Sequence, residues 1–219
     1  MDVATSKSAI ELAERHDFIY AAVGIHPEAA NGITDADLAI IAQLARHQKV
    51  VAIGEIGLDY YWDTAPRDVQ QQVLRRQIQL AKEVGLPVII HNRDATQDTV
   101  QVLTEECQQQ VHGVMHCFTG SYETAMQCIE LGFFISFGGP VTFKNARNVK
   151  EVAAQIPNDW LLVETDAPYL TPHPFRGKRN EPAHVRLVAD MLAELRGQSY
   201  EEIARQTMEN GLRLFEKAR

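Results

Sequence analysis

Short apolar runs of strand length recur along this chain, and five of the six stop at a residue able to ligate a metal ion. They are Val23-Gly24-Ile25-His26, Ala52-Ile53-Gly54-Glu55, Val88-Ile89-Ile90-His91, Val114-Met115-His116 and Leu162-Val163-Glu164-Thr165-Asp166. The remaining run, Phe133 to Phe137, is followed by Gly138-Gly139-Pro140. The runs as strands span Phe18 to Ile25, Val50 to Ile56, Leu86 to Ile90, Gly113 to Cys117, Phe133 to Phe137 and Trp160 to Val163. Between them lie helical periodicities. Asp68 to Val84 sets Val69, Val73, Leu74, Ile78, Leu80, Ala81 and Val84 broadly on one face, and Gly85 stops it. Ser121 caps a helix ending at Gly132, and Pro157 closes one that begins near Asn148. Strand alternating with helix predicts parallel strands joined by right-handed crossovers.

An open doubly wound sheet and a TIM (β/α)8 barrel both satisfy that alternation. The doubly wound nucleotide binder carries a glycine-rich loop after an early strand, and neither GxGxxG nor GxxxxGK[ST] occurs here. A barrel gathers the C-terminal ends of its strands on one face, where its active sites lie. The placement of the ligand-type residues therefore predicts an α/β chain forming one barrel domain over residues 1–219. A closed barrel needs eight strands and typically about 250 residues. Only about six βα units are visible. The chain opens directly in a helix, Ser6 to His16, while Ala183 to Leu195 and Tyr200 to Phe215 read as two helices after the last strand. The shortfall is thus expected at the N-terminus, as a truncated barrel.

With 45% hydrophobic residues in 219, the chain can bury a sizeable core, which excludes a disordered polypeptide. Its 29 acidic against 21 basic residues give a formal charge of -8, so no long-range field draws it onto nucleic acid or an anionic membrane. A nucleic-acid substrate then requires local positive charge or metal ions. Cys107, Cys117 and Cys128 lack CxxC spacing and read as reduced thiols. No run approaches the roughly 18 apolar residues of a membrane helix, so the expected location is the cytoplasm, away from membranes.

Imidazole and carboxylate together suit zinc, manganese and similar divalent ions, with a coordination position left for water. A lone histidine in a parallel strand is more often a hydrogen-bonded core residue. The joint occurrence of Glu55, His91, His116 and Asp166 at strand ends turns the reading to ligation. Glu55 is the candidate bridge between two ions about 3.5 to 4 Å apart, and Asp166 can both bind metal and accept a proton from the attacking water. Glu164 shares a strand side with Asp166 by period-two geometry, and either backs a ligand or partners a buried cation. His26 precedes Pro27 and either orients substrate or caps a turn. On so acidic a chain, Arg176 and Arg179 within Arg176-Gly177-Lys178-Arg179-Asn180 are the best phosphate-binding candidates, and Arg93, two residues past His91, can reach the pocket mouth. Tyr60, Tyr61 and Trp62 either stack on bases or pack their own loop. Gly138-Gly139-Pro140 allows close backbone approach or simply a tight turn.

Taken in order, Gly24-Ile25-His26-Pro27, Gly54-Glu55-Ile56-Gly57-Leu58-Asp59-Tyr60, Ile90-His91-Asn92-Arg93, His116-Cys117-Phe118-Thr119-Gly120 and Glu164-Thr165-Asp166-Ala167-Pro168-Tyr169 resemble the successive signatures of the TatD family of metal-dependent hydrolases. The resemblance continues through Arg176 to Pro182 and into the C-terminal helices. It implies a TIM barrel of the amidohydrolase type and a divalent-metal nuclease, usually a deoxyribonuclease with exonuclease action. It also implies two ions (Mg2+, Mn2+ or Zn2+), with Glu55, His91, His116 and Asp166 in the ligand positions. The pattern departs from the family in lacking a first strand with His-x-His, which supplies two ligands to one ion. A single ion is therefore the alternative to two. The barrel edges left unpaired would invite association as a homo-oligomer.

The expected activity is metal-dependent cleavage of phosphodiester bonds in DNA or another nucleotide-containing substrate. Asp166 and Glu164 form the catalytic pair, and His26, Arg93, Arg176 and Arg179 contact substrate. Two rival readings stand beside it. One is hydrolysis of another ester such as D-aminoacyl-tRNA, since the same activated water attacks carbonyl or phosphorus. The other is a catalytically impaired fragment with a damaged metal site.

Overall fold

The computed structural model describes residues 1–219 except Asp63 and Gln109. The chain folds as two compact units, Met1–Val114 with Leu214–Arg219, and Met115–Arg213.

The first unit carries strands β1 (Ala21–Val23), β2 (Val50–Asp59), β3 (Val88–Arg93) and the start of β4 (Gly113–Met115), neighbours in chain order. Its helices are α1 (Val3–Glu14), α2 (Asp35–Leu44), α3 (Arg67–Val84) and α4 (Thr96–Cys107). β1 and β2 pair in parallel from Ala21 opposite Val50, and β2 and β3 from Ile53 opposite Val88. Val23, Val50, Ile53, Ile56 and Ile90 are fully buried, as expected of parallel strands covered by helices. α3 runs almost as its periodicity predicts and ends on Gly85 in the left-handed conformation, φ 65°. Val73, Leu74 and Ile78 bury its apolar face, each such side chain stabilising by roughly 1.5–3 kcal/mol. α1 starts earlier than expected because Asp2 and Thr5 form a reciprocal cap, Thr5 N to Asp2 Oδ1 and Asp2 N to Thr5 Oγ1 both at 2.8 Å.

Strand bounds differ from the sequence reading, and in β1 and β2 the reason is visible. β1 is shorter than Phe18 to Ile25. The carbonyls of His16, Asp17 and Ile19 accept from the Lys49 ammonium at 3.1, 2.8 and 3.3 Å instead of a neighbouring strand, and Phe18 is exposed. β2 runs past Ile56 to Asp59 because its register on β3 shifts between Ile53 and Ile56 and then resumes, Gly57 opposite His91 and Asp59 opposite Arg93. Glu55 thus lies at an irregularity inside β2, and His91 lies within β3 rather than at its end. Only glycine permits that re-seating: Gly57 has φ 151°, and a Cβ there would lie 1.9 Å from the His91 carbonyl oxygen.

The second unit contains β5 (Phe133–Phe137) and β6 (Leu161–Val163), paired in parallel from Ile135 opposite Leu161. Around them lie α5 (Tyr122–Glu130), α6 (Arg147–Gln155), α7 (Val185–Arg196) and α8 (Tyr200–Leu214). Ser121 caps α5 by accepting from Thr124 N at 3.2 Å. Phe133, Phe137, Leu161, Val188 and Leu192 are fully buried. Arg196 donates to the Ala153 and Ile156 carbonyls at 2.5 and 2.9 Å, satisfying orphan acceptors at the end of α6. Gly139 is a close approach rather than a plain turn, since a Cβ there would meet the Leu170 carbonyl oxygen at 1.8 Å. Among the described residues, no helix is long and apolar enough to cross a membrane.

Candidate metal centre

In the first unit the segment after β1, the irregularity within β2 and strand β3 bring His26, Glu55 and His91 together, each offering a ligand atom within 4.8 Å of the others. His26 Nε2 lies 3.9 Å from Glu55 Oε2, and the two imidazoles meet edge to face with ring centroids 4.5 Å apart. His26 also caps a 3-10 turn, its Nδ1 accepting from Glu28 N at 3.3 Å, so orienting and capping are not exclusive for this residue. His91 Nε2 lies 2.9 Å from Asp59 Oδ2, and Asp59 is almost fully buried. A carboxylate on one ring nitrogen fixes the imidazole's orientation and tautomer, as in metal sites generally.

Two buried glutamines of α3, one heptad apart, set this group in place. Gln77 Oε1 accepts from Ile25 N at 2.7 Å and its Nε2 donates to Ile25 O at 3.0 Å, holding the backbone next to His26. Gln70 does the same to Asp59, accepting from its N at 2.8 Å and donating to its O at 2.9 Å. Asp59, Gln70 and Gln77 were missing from the sequence-derived site. The available signal was weak: two amides, Gln70 and Gln77, at i and i+7 beside an apolar helix stripe, and a carboxylate four residues past Glu55.

In the second unit His116 meets Glu164 and Asp166. His116 Nδ1 is hydrogen-bonded to Glu164 Oε2 at 3.0 Å, and its Nε2 lies 3.5 Å from Asp166 Oδ1. Glu164 Oε2 also accepts from Cys117 N at 3.2 Å. Its other oxygen, Oε1, is only 2.9 Å from His116 Nδ1 but out of line, and it is buried with no hydrogen bond among the described residues. Asp166 sits in the left-handed region at φ 57°, a conformation that aspartate tolerates better than most residues. Asn180 stabilises that loop. Its Nδ2 donates to Thr165 O and Tyr169 O at 2.6 Å each, and its Oδ1 accepts from Glu181 N at 2.9 Å and lies 3.0 Å from His184 Nδ1.

Of the other substrate-contact candidates, Arg93 is exposed at the end of β3, and Arg176 and Arg179 lie on an exposed loop. Arg93 stands over the Tyr61 ring at 3.8 Å and the Trp62 ring at 5.5 Å. Arg176 lies over the Phe143 ring at 4.3 Å, and Arg179 is exposed. As a donor set, two imidazoles with a carboxylate in the first unit, and an imidazole with carboxylates in the second, fit a divalent ion of the zinc or manganese kind. The buried, unsatisfied Glu164 oxygen is consistent with a nearby cation.

Parallel strands joined by helices, with imidazoles and carboxylates on the strands or just past them, define a metal-dependent hydrolase of the TIM-barrel class. The family model described as TatD related DNase matches residues 1–216, and the chain belongs to the TatD family. It is 60% identical to the uncharacterized metal-dependent hydrolase YabD of Bacillus subtilis over 98% of this chain and 84% of the relative. It is 45% identical to the uncharacterized metal-dependent hydrolase YcfH of Escherichia coli K12, over 94% of this chain and 77% of that protein. The crystal structure of YjjV, a TatD homolog from Escherichia coli K12, superposes with a TM-score of 0.92 at 35% identity, covering 99% of this chain and 84% of that one.

Proposed function

We propose that this chain hydrolyses phosphodiester bonds of DNA, with divalent metal ligated by Glu55 and His91 in the first unit and by His116 and Asp166 in the second. The observation that carries the reading is the pair of held imidazoles, His91 by Asp59 and His116 by Glu164. Carboxylate-oriented histidines are how proteins set metal ligands. The family's description as TatD related DNase supports DNA as substrate, as does the exposed Arg176, Lys178 and Arg179 loop on a chain of formal charge -8.

A divalent ion, when bound, lowers the pKa of water and polarises a phosphoryl oxygen. Asp166 takes the proton of the water that attacks phosphorus. Glu164 acts as a positioning residue: by holding His116 Nδ1 it keeps the Nε2 lone pair available. Arg176 and Arg179 grip the flanking phosphate through paired guanidinium donors, while Arg93 and His26 face the substrate beside Glu55 and His91.

Incubation with single-stranded DNA and Mn2+ or Mg2+ tests the reading. Nucleotide release that stops with chelator and falls by roughly 10²–10⁴-fold in Asp166→Asn is expected. No release from DNA, with hydrolysis of D-aminoacyl-tRNA instead, would move the same activated water to a carbonyl substrate.

A further inference from the structure

Tyr60, Tyr61 and Trp62 are consecutive aromatics, yet the structure gives them two different jobs. Tyr60 packs its loop: its hydroxyl donates to Asp98 Oδ2 at 2.7 Å and accepts from Gln71 Nε2 at 3.0 Å, and Arg67 lies over its ring at 4.3 Å. Tyr61 and Trp62 are about half exposed, at 54% and 48%. Their rings meet edge to face 4.9 Å apart, with the Arg93 guanidinium 3.8 Å over Tyr61. A cation over an exposed ring returns less than burying a large apolar side chain does. Folding stability alone does not favour holding both rings out in water.

The pair is nonetheless held in place. Asp59 Oδ1 accepts from both Tyr61 N and Trp62 N at 3.0 Å, while Oδ2 of the same carboxylate holds His91 Nε2 at 2.9 Å. Tyr60 N donates to Arg93 O at 2.9 Å, which ties the end of β2 to the end of β3. A single buried side chain thus fixes the two exposed aromatics and an imidazole of the His26, Glu55 and His91 group. We propose that Arg93, Tyr61 and Trp62 form a stacking subsite for a nucleobase of a single-stranded nucleic acid, beside that group. The proposal rests on the phosphodiesterase reading and adds to it a preference for substrate with an unstacked base. Aromatic faces accept any base, because every base has a π-face, so the subsite selects for single-strandedness and not for sequence.

The test is equilibrium binding of the Mn2+-loaded protein to a phosphorothioate-linked single-stranded oligonucleotide, which resists cleavage, and to its abasic counterpart. Both are measured by fluorescence anisotropy. The wild type should bind the base-bearing oligomer about ten-fold tighter or more, since base stacking on aromatics is worth roughly 1–3 kcal/mol per base. Trp62→Ala and Tyr61→Ala should erase that difference, whereas Trp62→Phe should keep most of it. Loss of affinity by the same factor for both oligomers, or no loss at all, would overturn the subsite. If the wild type cleaves DNA while Trp62→Ala binds it equally well, the subsite fails and the phosphodiesterase reading stands. A wild type that binds neither oligomer overturns both.

Discussion

Asn180 uses all of its side-chain hydrogen-bonding capacity on the loop that carries Asp166, and it is buried. Asn180→Ala removes the donors of the Thr165 and Tyr169 carbonyls, two part-buried hydrogen bonds worth about 0.5–1.5 kcal/mol each. A urea denaturation midpoint that falls without a change in m-value is the expected outcome. Asp59 is a positioning residue of a different kind. Asp59→Asn should keep the fold yet lower divalent-metal affinity by about 10–100-fold, the typical effect of losing a carboxylate behind a ligating histidine; calorimetric titration with Mn2+ or Zn2+ reads it. At this scale legibility divides by chemistry. Glu55, His91, His116 and Asp166 stand out because few side chains ligate metals and these fall at regular places in the strand pattern. Asp59, Gln70, Gln77 and Asn180 do not, because an amide or carboxylate gains its meaning only from the partner that the fold delivers.

Among the elements, α3 does most to position the first-unit group, since Gln70 and Gln77 grip the backbone of Asp59 and Ile25 from one helix. Gln77→Leu preserves the packing volume but strands the Ile25 N–H and carbonyl. About 2 kcal/mol or more of stability should be lost in thermal or chemical melts, and metal affinity should weaken as His26 is released. Gly57→Ala is expected to act on the other side of the same group, since its methyl would collide with the His91 carbonyl and push β3 away from β2. The extent of α3 was readable because apolar periodicity and a glycine stop specify it locally. The shift in β2 register was not, since strand pairing is a contact between distant segments and only Gly57 hints at it.

For the molecule as a whole, the acidic balance and the metal chemistry belong together. Some of the carboxylates behind the charge of -8 are the candidate ligands, and bound cations reverse the local sign that a nucleic acid meets. The thiols give an independent check on packing. Burial pushes both Cys107 and Cys128 up to about 12 from an ordinary 9, so both should resist a thiol reagent in the native protein at pH 8 and react once urea unfolds it. Because the folded state holds these protons more tightly, stability is unaffected by them below about pH 9 and falls as pH rises from there towards 12. Whether Glu55 belongs to a working metal centre is measured most directly by Mn2+ binding followed alongside DNA cleavage in wild type and Glu55→Ala. Saturable binding of at least one ion by wild type, cleavage rising along the same curve, and a large loss of both in the variant are the predicted results. A variant that binds Mn2+ and cleaves DNA as well as wild type would place Glu55 outside the metal centre.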